Sequence, residues 1–207
     1  MSDLEQRAAT SIEQYLREEE ISSVRHEYVD GEVFEMTGGT KAHNLISMNI
    51  VALAREQTRK SGCNVFAIDV KVRVEATNSF YYPDVLIDCG PSNLDEVFTT
   101  TPSVIFEVLS RSTAAIDRRE KAVAYKRIPT LRAYVLVRQG VRRIEVFRRD
   151  TAAGWTKEVV PSKGKFKVEI CQGTFVEFSE DEIYRDTEID DRPPDLKVME
   201  QVEIYSW

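Results

Sequence analysis

The segments YYPDVLID (81–88) and SVIFEVLS (103–110) decide how this chain reads. Both are short and almost uniformly apolar, the pattern of central strands covered on both faces. Each nevertheless carries an acid: Asp84, directly after Pro83, and Glu107, between Phe106 and Val108. Leaving an ionised carboxylate in a low-dielectric interior is costly unless a cation, hydrogen-bond donors or water compensate it.

Were the two strands neighbours, Asp84 and Glu107 could converge on one point. Two carboxylates that close repel unless one takes up a proton or a cation sits between them. A few hard oxygen ligands on rigid strands suit Mg²⁺, which keeps several of its waters, and such an ion can polarise a phosphoryl oxygen. Structural ion pairs also place acids in strands, and Arg73 or Arg132 could partner either residue. Unshielded repulsion between the two acids would make Asp84→Asn raise the melting temperature without metal.

Outward from this pair, the order of elements is that of an α/β sheet protein. Leu4 to Glu20 spaces Leu4, Ala8, Ile12, Tyr15 and Leu16 at helical intervals. RHEYVDGEVFEMTG (25–38) reads as a hairpin turning at Asp30-Gly31, a dipeptide suited to positive φ. Thr40 can cap a helix running to about Lys60 and ended by Gly62. AIDVKVRV (67–74) alternates as a half-buried strand, with Val70, Val72 and Val74 inward and Asp69, Lys71 and Arg73 outward. Beyond SVIFEVLS, Ser112 or Thr113 can cap a helix from about Ala114 to Arg127, and LRAYVLVR and RRIEVFRR then read as strands. Residues 1–188 read as one domain, with 189–207 as an acidic, proline-interrupted extension.

The bulk properties restrict the function classes. Neither GxGxxG nor GxxxxGK[ST] occurs, so no nucleotide cofactor is expected. No apolar run approaches the ~18 residues of a membrane span, and the N-terminus lacks the order of a signal peptide, which predicts a cytoplasmic protein. Cys63, Cys89 and Cys171 are odd in number and far apart, arguing against a disulfide framework or a cysteine zinc site and for a reducing compartment. With only His26 and His43, a nitrogen-rich metal site is equally hard to assemble. The net charge of −7 argues against nucleic acid. However, residues 107–149 hold twelve Lys or Arg against four acids. That stretch is either one of two solvated surfaces of opposite sign or a basic groove for phosphates.

YYPDVLID, then SVIFEVLSRSTAAIDRREKAVAYKR (103–127), then LRAYVLVR, with EYVDGEV and a helix opening at His43, resembles a restriction-endonuclease-like family abundant in cyanobacteria. The resemblance runs from about Ser11 to Phe178 and implies the PD-(D/E)XK nuclease fold, a mixed β-sheet flanked by helices. It further implies divalent-metal-dependent hydrolysis of phosphodiester bonds, with Mg²⁺ or Mn²⁺ as cofactor and DNA as substrate. Carried over by residue, Asp84 and Glu107 would be catalytic and hold the metal together with the Val108 carbonyl. The chain departs from the motif at Leu109, where a lysine is expected. The family pattern moves that amine to the following helix, at Lys121. Glu27 and His43 become second-tier candidates, as an extra carboxylate for the metal and a phosphate contact. Asp117 is a helical-face partner for Lys121 that would explain both residues without catalysis, and Arg118 and Arg119 are candidates for the DNA backbone. A homodimer would cut both strands of a duplex. The alternative is a catalytically silent nuclease-fold module that binds nucleic acid or a protein.

Overall fold

The structure, a computed structural model, describes residues 9–91, 93–110, 120–150 and 154–189. Helix α1 (Ile12–Ile21) is capped by Ser11, whose side chain accepts from Gln14 N, and residues 4–8 of the expected helix lie outside the described residues. Its Tyr15 packs with Tyr28 and Phe80 in a small aromatic core. The hairpin forms as β1 (His26–Val29) and β2 (Glu32–Glu35). Asp30 and Gly31 take φ values of 46° and 99°, which give the turn a twist matching its strands. Helix α2 (Lys41–Thr58) is capped by Thr40, whose hydroxyl accepts His43 N.

The alternating stretch 67–74 is not one strand. It divides into the end of β3 (Asn64–Ala67) and β4 (Lys71–Val74), which belong to different sheets. Ile68, at φ 71°, makes the break. Nor is the polar side uniformly solvated: Asp69 is exposed, but Lys71 is 5% exposed, and its Nζ donates to the Tyr82 hydroxyl at 3.2 Å. Desolvation holds the Lys71 pKa below the usual lysine value.

The remaining elements are β5 (Ser79–Tyr81), β6 (Val85–Asp88), β7 (Phe98–Thr99), β8 (Pro102–Leu109), α3 (Ala122–Tyr125), β9 (Ala133–Arg138), β10 (Ile144–Asp150), β11 (Gly154–Val159), β12 (Lys165–Cys171), β13 (Thr174–Ser179) and α4 (Glu180–Ile183). They form a five-stranded sheet, β2-β1-β5-β4-β7, a six-stranded sheet, β11-β10-β9-β8-β6-β3, and the β12-β13 hairpin. The six-stranded sheet is mixed, since β8 pairs parallel with β9 and antiparallel with β6.

Every residue of β8 is buried, as its apolar run predicts. Val104, Phe106 and Val108 join the core under α2 and the β12-β13 hairpin. Ile105 and Leu109 join a second core that includes Tyr125, Leu131 and Leu136. The period of two along a strand makes this division, and it puts Glu107 on the second face.

The basic stretch does not form an open phosphate groove among the described residues. Arg132 pairs with Glu169 at 3.0 Å, Arg142 with Glu180 and Asp181, Arg143 with Glu145, and Arg148 with Glu158. Arg149 donates to the carbonyls of Leu131, Lys126 and Ile128. Much of the positive charge is spent within the fold, partly against acids of the C-terminal third. The cysteine expectation also needs correction: Cys63 and Cys89 form a disulfide. They are 26 residues apart in sequence, but β3 and β6 run antiparallel with Asn64 opposite Asp88, so the next positions outward are these two cysteines. Of the 189–207 extension, all but Ile189 lies outside the described residues.

Two outcomes follow from these elements. An added Cβ at Gly31 would lie 2.8 Å from the Ala9 Cβ, at a φ that L side chains rarely adopt. Gly31→Ala should therefore destabilise the fold by about 1 kcal/mol or more, read as a lower urea midpoint with unchanged slope. Lys71→Met should stabilise the protein at neutral pH by on the order of 1 kcal/mol. Because the folded pKa of Lys71 lies below its unfolded value, the native protein gains stability as pH rises between the two. The advantage of the variant should thus be full below the folded pKa and vanish towards pH ~10.4. Paired urea titrations across that range check it, and a constant difference would contradict it.

Candidate active site

Asp84 and Glu107 meet because of strand register. Val85 of β6 lies opposite Phe106 of β8, so the next step along both strands brings Asp84 opposite Glu107. Cross-strand neighbours share a face, and both residues line one cleft of about 220 Å³. β6 starts at Val85 whereas β8 continues to Leu109, so at Val108 the strand lacks a ladder partner on that side. Asp84 fills the gap: its Oδ2 accepts Val108 N at 2.6 Å. His43, in the first turn of α2, brings Nε2 to 3.1 Å from Asp84 Oδ1. The Asp84 hydrogen bond, opposed by partial burial, raises the His43 pKa, and the Val108 backbone supports the same direction.

Glu107 is 5% exposed. Its Oε1 accepts the Tyr125 hydroxyl at 3.0 Å, and Lys121 Nζ stands 3.8 Å away. Lys121, just before α3, is closer still to Glu27 of β1, at 2.7 Å. Glu27 also accepts Tyr82 N at 3.1 Å. Complete burial and the Glu107 charge push the Tyr125 phenol well above its ordinary range, so it stays a hydrogen-bond donor. The site therefore joins both large sheets and two helices, with cationic and phenolic groups set against three carboxylates. Arg73 and Arg132 serve elsewhere, over the Phe80 ring and on Glu169.

A sequence profile of the Uma2 family, described as "Putative restriction endonuclease", matches residues 12–173. The chain belongs to the Uma2 family. Two relatives from Synechocystis sp. are each titled "Uncharacterized protein". The first, slr1290, is 34% identical over 146 residues, covering 70% of this chain and 77% of the relative. The second, sll1609, is 30% identical over 145 residues, covering 69% and 82%. Among solved structures, "a putative nuclease belonging to DUF820" from Anabaena variabilis has a TM-score of 0.63 at 13% identity. The match covers 79% of this chain and 91% of that one, a likeness of fold. Restriction-endonuclease-like family and mixed α/β fold are thus as the sequence motifs imply.

The span matched to Uma2 contains every candidate residue. Six of them, Glu27, His43, Asp84, Glu107, Val108 and Lys121, line the one cleft. Asp117, Arg118 and Arg119 lie outside the described residues. Leu109, where the motif expects lysine, is buried in the second core, and the amine near the acids comes from Lys121. Glu27 holds that amine at 2.7 Å. Tyr81 and Tyr82 are core residues, Tyr81 edge-on to Tyr125 and Tyr82 donating to buried Glu19 at 2.8 Å. Tyr125 was not singled out from sequence, although it follows Lys121 by four residues and so shares its helical face. The Asp84 and Glu107 carboxylates with the Val108 carbonyl make an all-oxygen donor set, which fits Mg²⁺ or Mn²⁺ and needs no third acid because such ions retain waters. A larger cleft of about 520 Å³ near Asp88 and Thr99 is removed from these groups. There, Asp88 already accepts from Thr99, Thr101 and Gly90.

The repulsion expected between the acids is shielded, which reverses the stability expectation for Asp84→Asn. The substitution weakens a charge-assisted bond from Val108 N and the pairing with His43. It should lower stability without metal by roughly 1–3 kcal/mol, seen as a lower melting temperature. A rise would mean that the two carboxylates repel in spite of their partners.

Proposed function

We propose that this Uma2 chain is a divalent-metal-dependent DNA endonuclease working with Mg²⁺, and with Mn²⁺ as a substitute. The observation that carries the reading is the meeting of Asp84, just before β6, Glu107 of β8 and Lys121, just before α3, at one cleft. Asp84, Glu107 and the Val108 carbonyl would hold the ion, which when bound supplies polarisation of a phosphoryl oxygen. The chain's own groups do the rest. Tyr125 fixes the rotamer of Glu107 through its hydroxyl, and Val108 N does the same for Asp84. Glu27 anchors Lys121, whose ammonium orients the attacking water and stabilises charge building on the phosphate. His43 contacts a phosphate oxygen when it leaves Asp84. Arg118 and Arg119 are proposed to meet the DNA backbone, so binding should weaken with salt. Cutting both strands of a duplex calls for two such sites, hence a homodimer.

A second reading is a nuclease-fold module that binds without cutting. It is favoured by Leu109 at the motif's lysine position and by the imidazole and the ammonium already beside the two acids. Supercoiled plasmid incubated with protein and Mg²⁺ or Mn²⁺ separates the two. The nuclease reading expects metal-dependent nicking that falls at least ~100-fold in Glu107→Ala and ~10-fold or more in Lys121→Ala. Equal trace cleavage by native protein and Glu107→Ala would overturn it and favour the silent module.

A further inference from the structure

Away from the carboxylate cleft, three sulfurs from three separate elements converge. Cys63 lies between α2 and β3, Cys89 follows β6, and Cys171 ends β12. Their Sγ atoms all lie within 4.8 Å of one another. Cys63 and Cys89 are joined, and Cys171 is a free thiol. Cys63 is buried, and the other two are partly buried against the main core. Spacing along the chain gave no sign of this cluster. It is built by β3 and β6, which bring two cysteines side by side, and by the β12-β13 hairpin, which delivers the third from across the sheet.

We propose that these cysteines form a redox-gated site for a thiophilic cation of the Zn²⁺ or Cu⁺ class. In the oxidised state two of the three ligands are tied up in the S–S bond, so no such ion is held. A dithiol reductant donates two electrons and two protons to the Cys63–Cys89 bond and is itself oxidised to a disulfide. Three thiols then face one point. An incoming soft cation replaces their protons, which pass to solvent, and is held by three thiolates, the ligand type such ions select. Three thiolates suit Cu⁺ directly, or Zn²⁺ with water in the remaining tetrahedral position. Because the ligands come from the edge strand β3, from β6 and from the hairpin, the bound ion would fasten the hairpin to the sheet edge. The same chemistry makes oxidation and ion binding mutually exclusive.

The test uses the full chain, reduced natively with a phosphine and freed of excess reductant without air. A thiol count establishes that all three cysteines are free. Co²⁺, a spectroscopic stand-in for Zn²⁺, is titrated in one arm, and Cu⁺ is supplied from a weak chelator in the other. The expected result is a saturable sulfur-to-metal charge-transfer band at one ion per chain in at least one arm, distinguishing the Zn²⁺ type from the Cu⁺ type. That band should be absent from the oxidised protein and lost in Cys171→Ser, which keeps the Cys63–Cys89 bond available and so should still fold. The carboxylate cleft cannot produce such a band, since it offers no sulfur. No band in either arm, an undiminished band in Cys171→Ser, or a disulfide that the phosphine cannot open in the folded protein would each overturn the proposal.

Discussion

Compensation of the Glu107 charge is the constraint on which the rest of this structure depends. β8 is buried along its whole length and paired on both sides, so any polar side chain in it must find partners within the protein. Glu107 finds a phenol hydroxyl from α3 and an ammonium from the residue before it. Those partners fix where α3 must sit, and through Lys121 and Glu27 they tie the six-stranded sheet to the five-stranded one. The acid is therefore both a liability in the core and the reason several elements meet.

The end of a strand pairing supplies the other half of the site. Because β6 begins one residue after Asp84 while β8 runs on, Val108 is left with backbone groups that no ladder satisfies on that side. Asp84 and His43 take up that position. A conserved rule of polar bookkeeping, that buried N–H and C=O groups find partners, thus explains why a carboxylate and an imidazole gather where a hard cation could also bind.

Several features were legible from residue types alone. Asp30-Gly31 fixed the hairpin turn, Thr40 the start of α2, and the apolar runs around Asp84 and Glu107 the two central strands. All of these are decided within a few residues by turn and cap chemistry or by side-chain alternation. The stretch 67–74 misled because its alternation is compatible with a strand, whereas the crossing from one sheet to the other is made by positive φ at Ile68, a β-branched residue that carries no turn signal. The basic segment stayed ambiguous for a different reason. Charge counted along the chain cannot tell which arginines are neutralised by acids from Glu158 to Asp181.

By itself, the sequence determined that Glu107 sits in a buried strand, that Asp84 stands at the start of another, that an amine follows, and that these belong to a restriction-endonuclease-like pattern. Only the tertiary structure decided which partner each of these side chains takes: Lys121 goes between Glu27 and Glu107, His43 goes to Asp84, and Cys63 goes to Cys89. The reason is range. Strand and helix periodicities act over neighbouring residues and so can be read locally, while long side chains and cross-strand positions are matched by register between segments that the chain order does not relate.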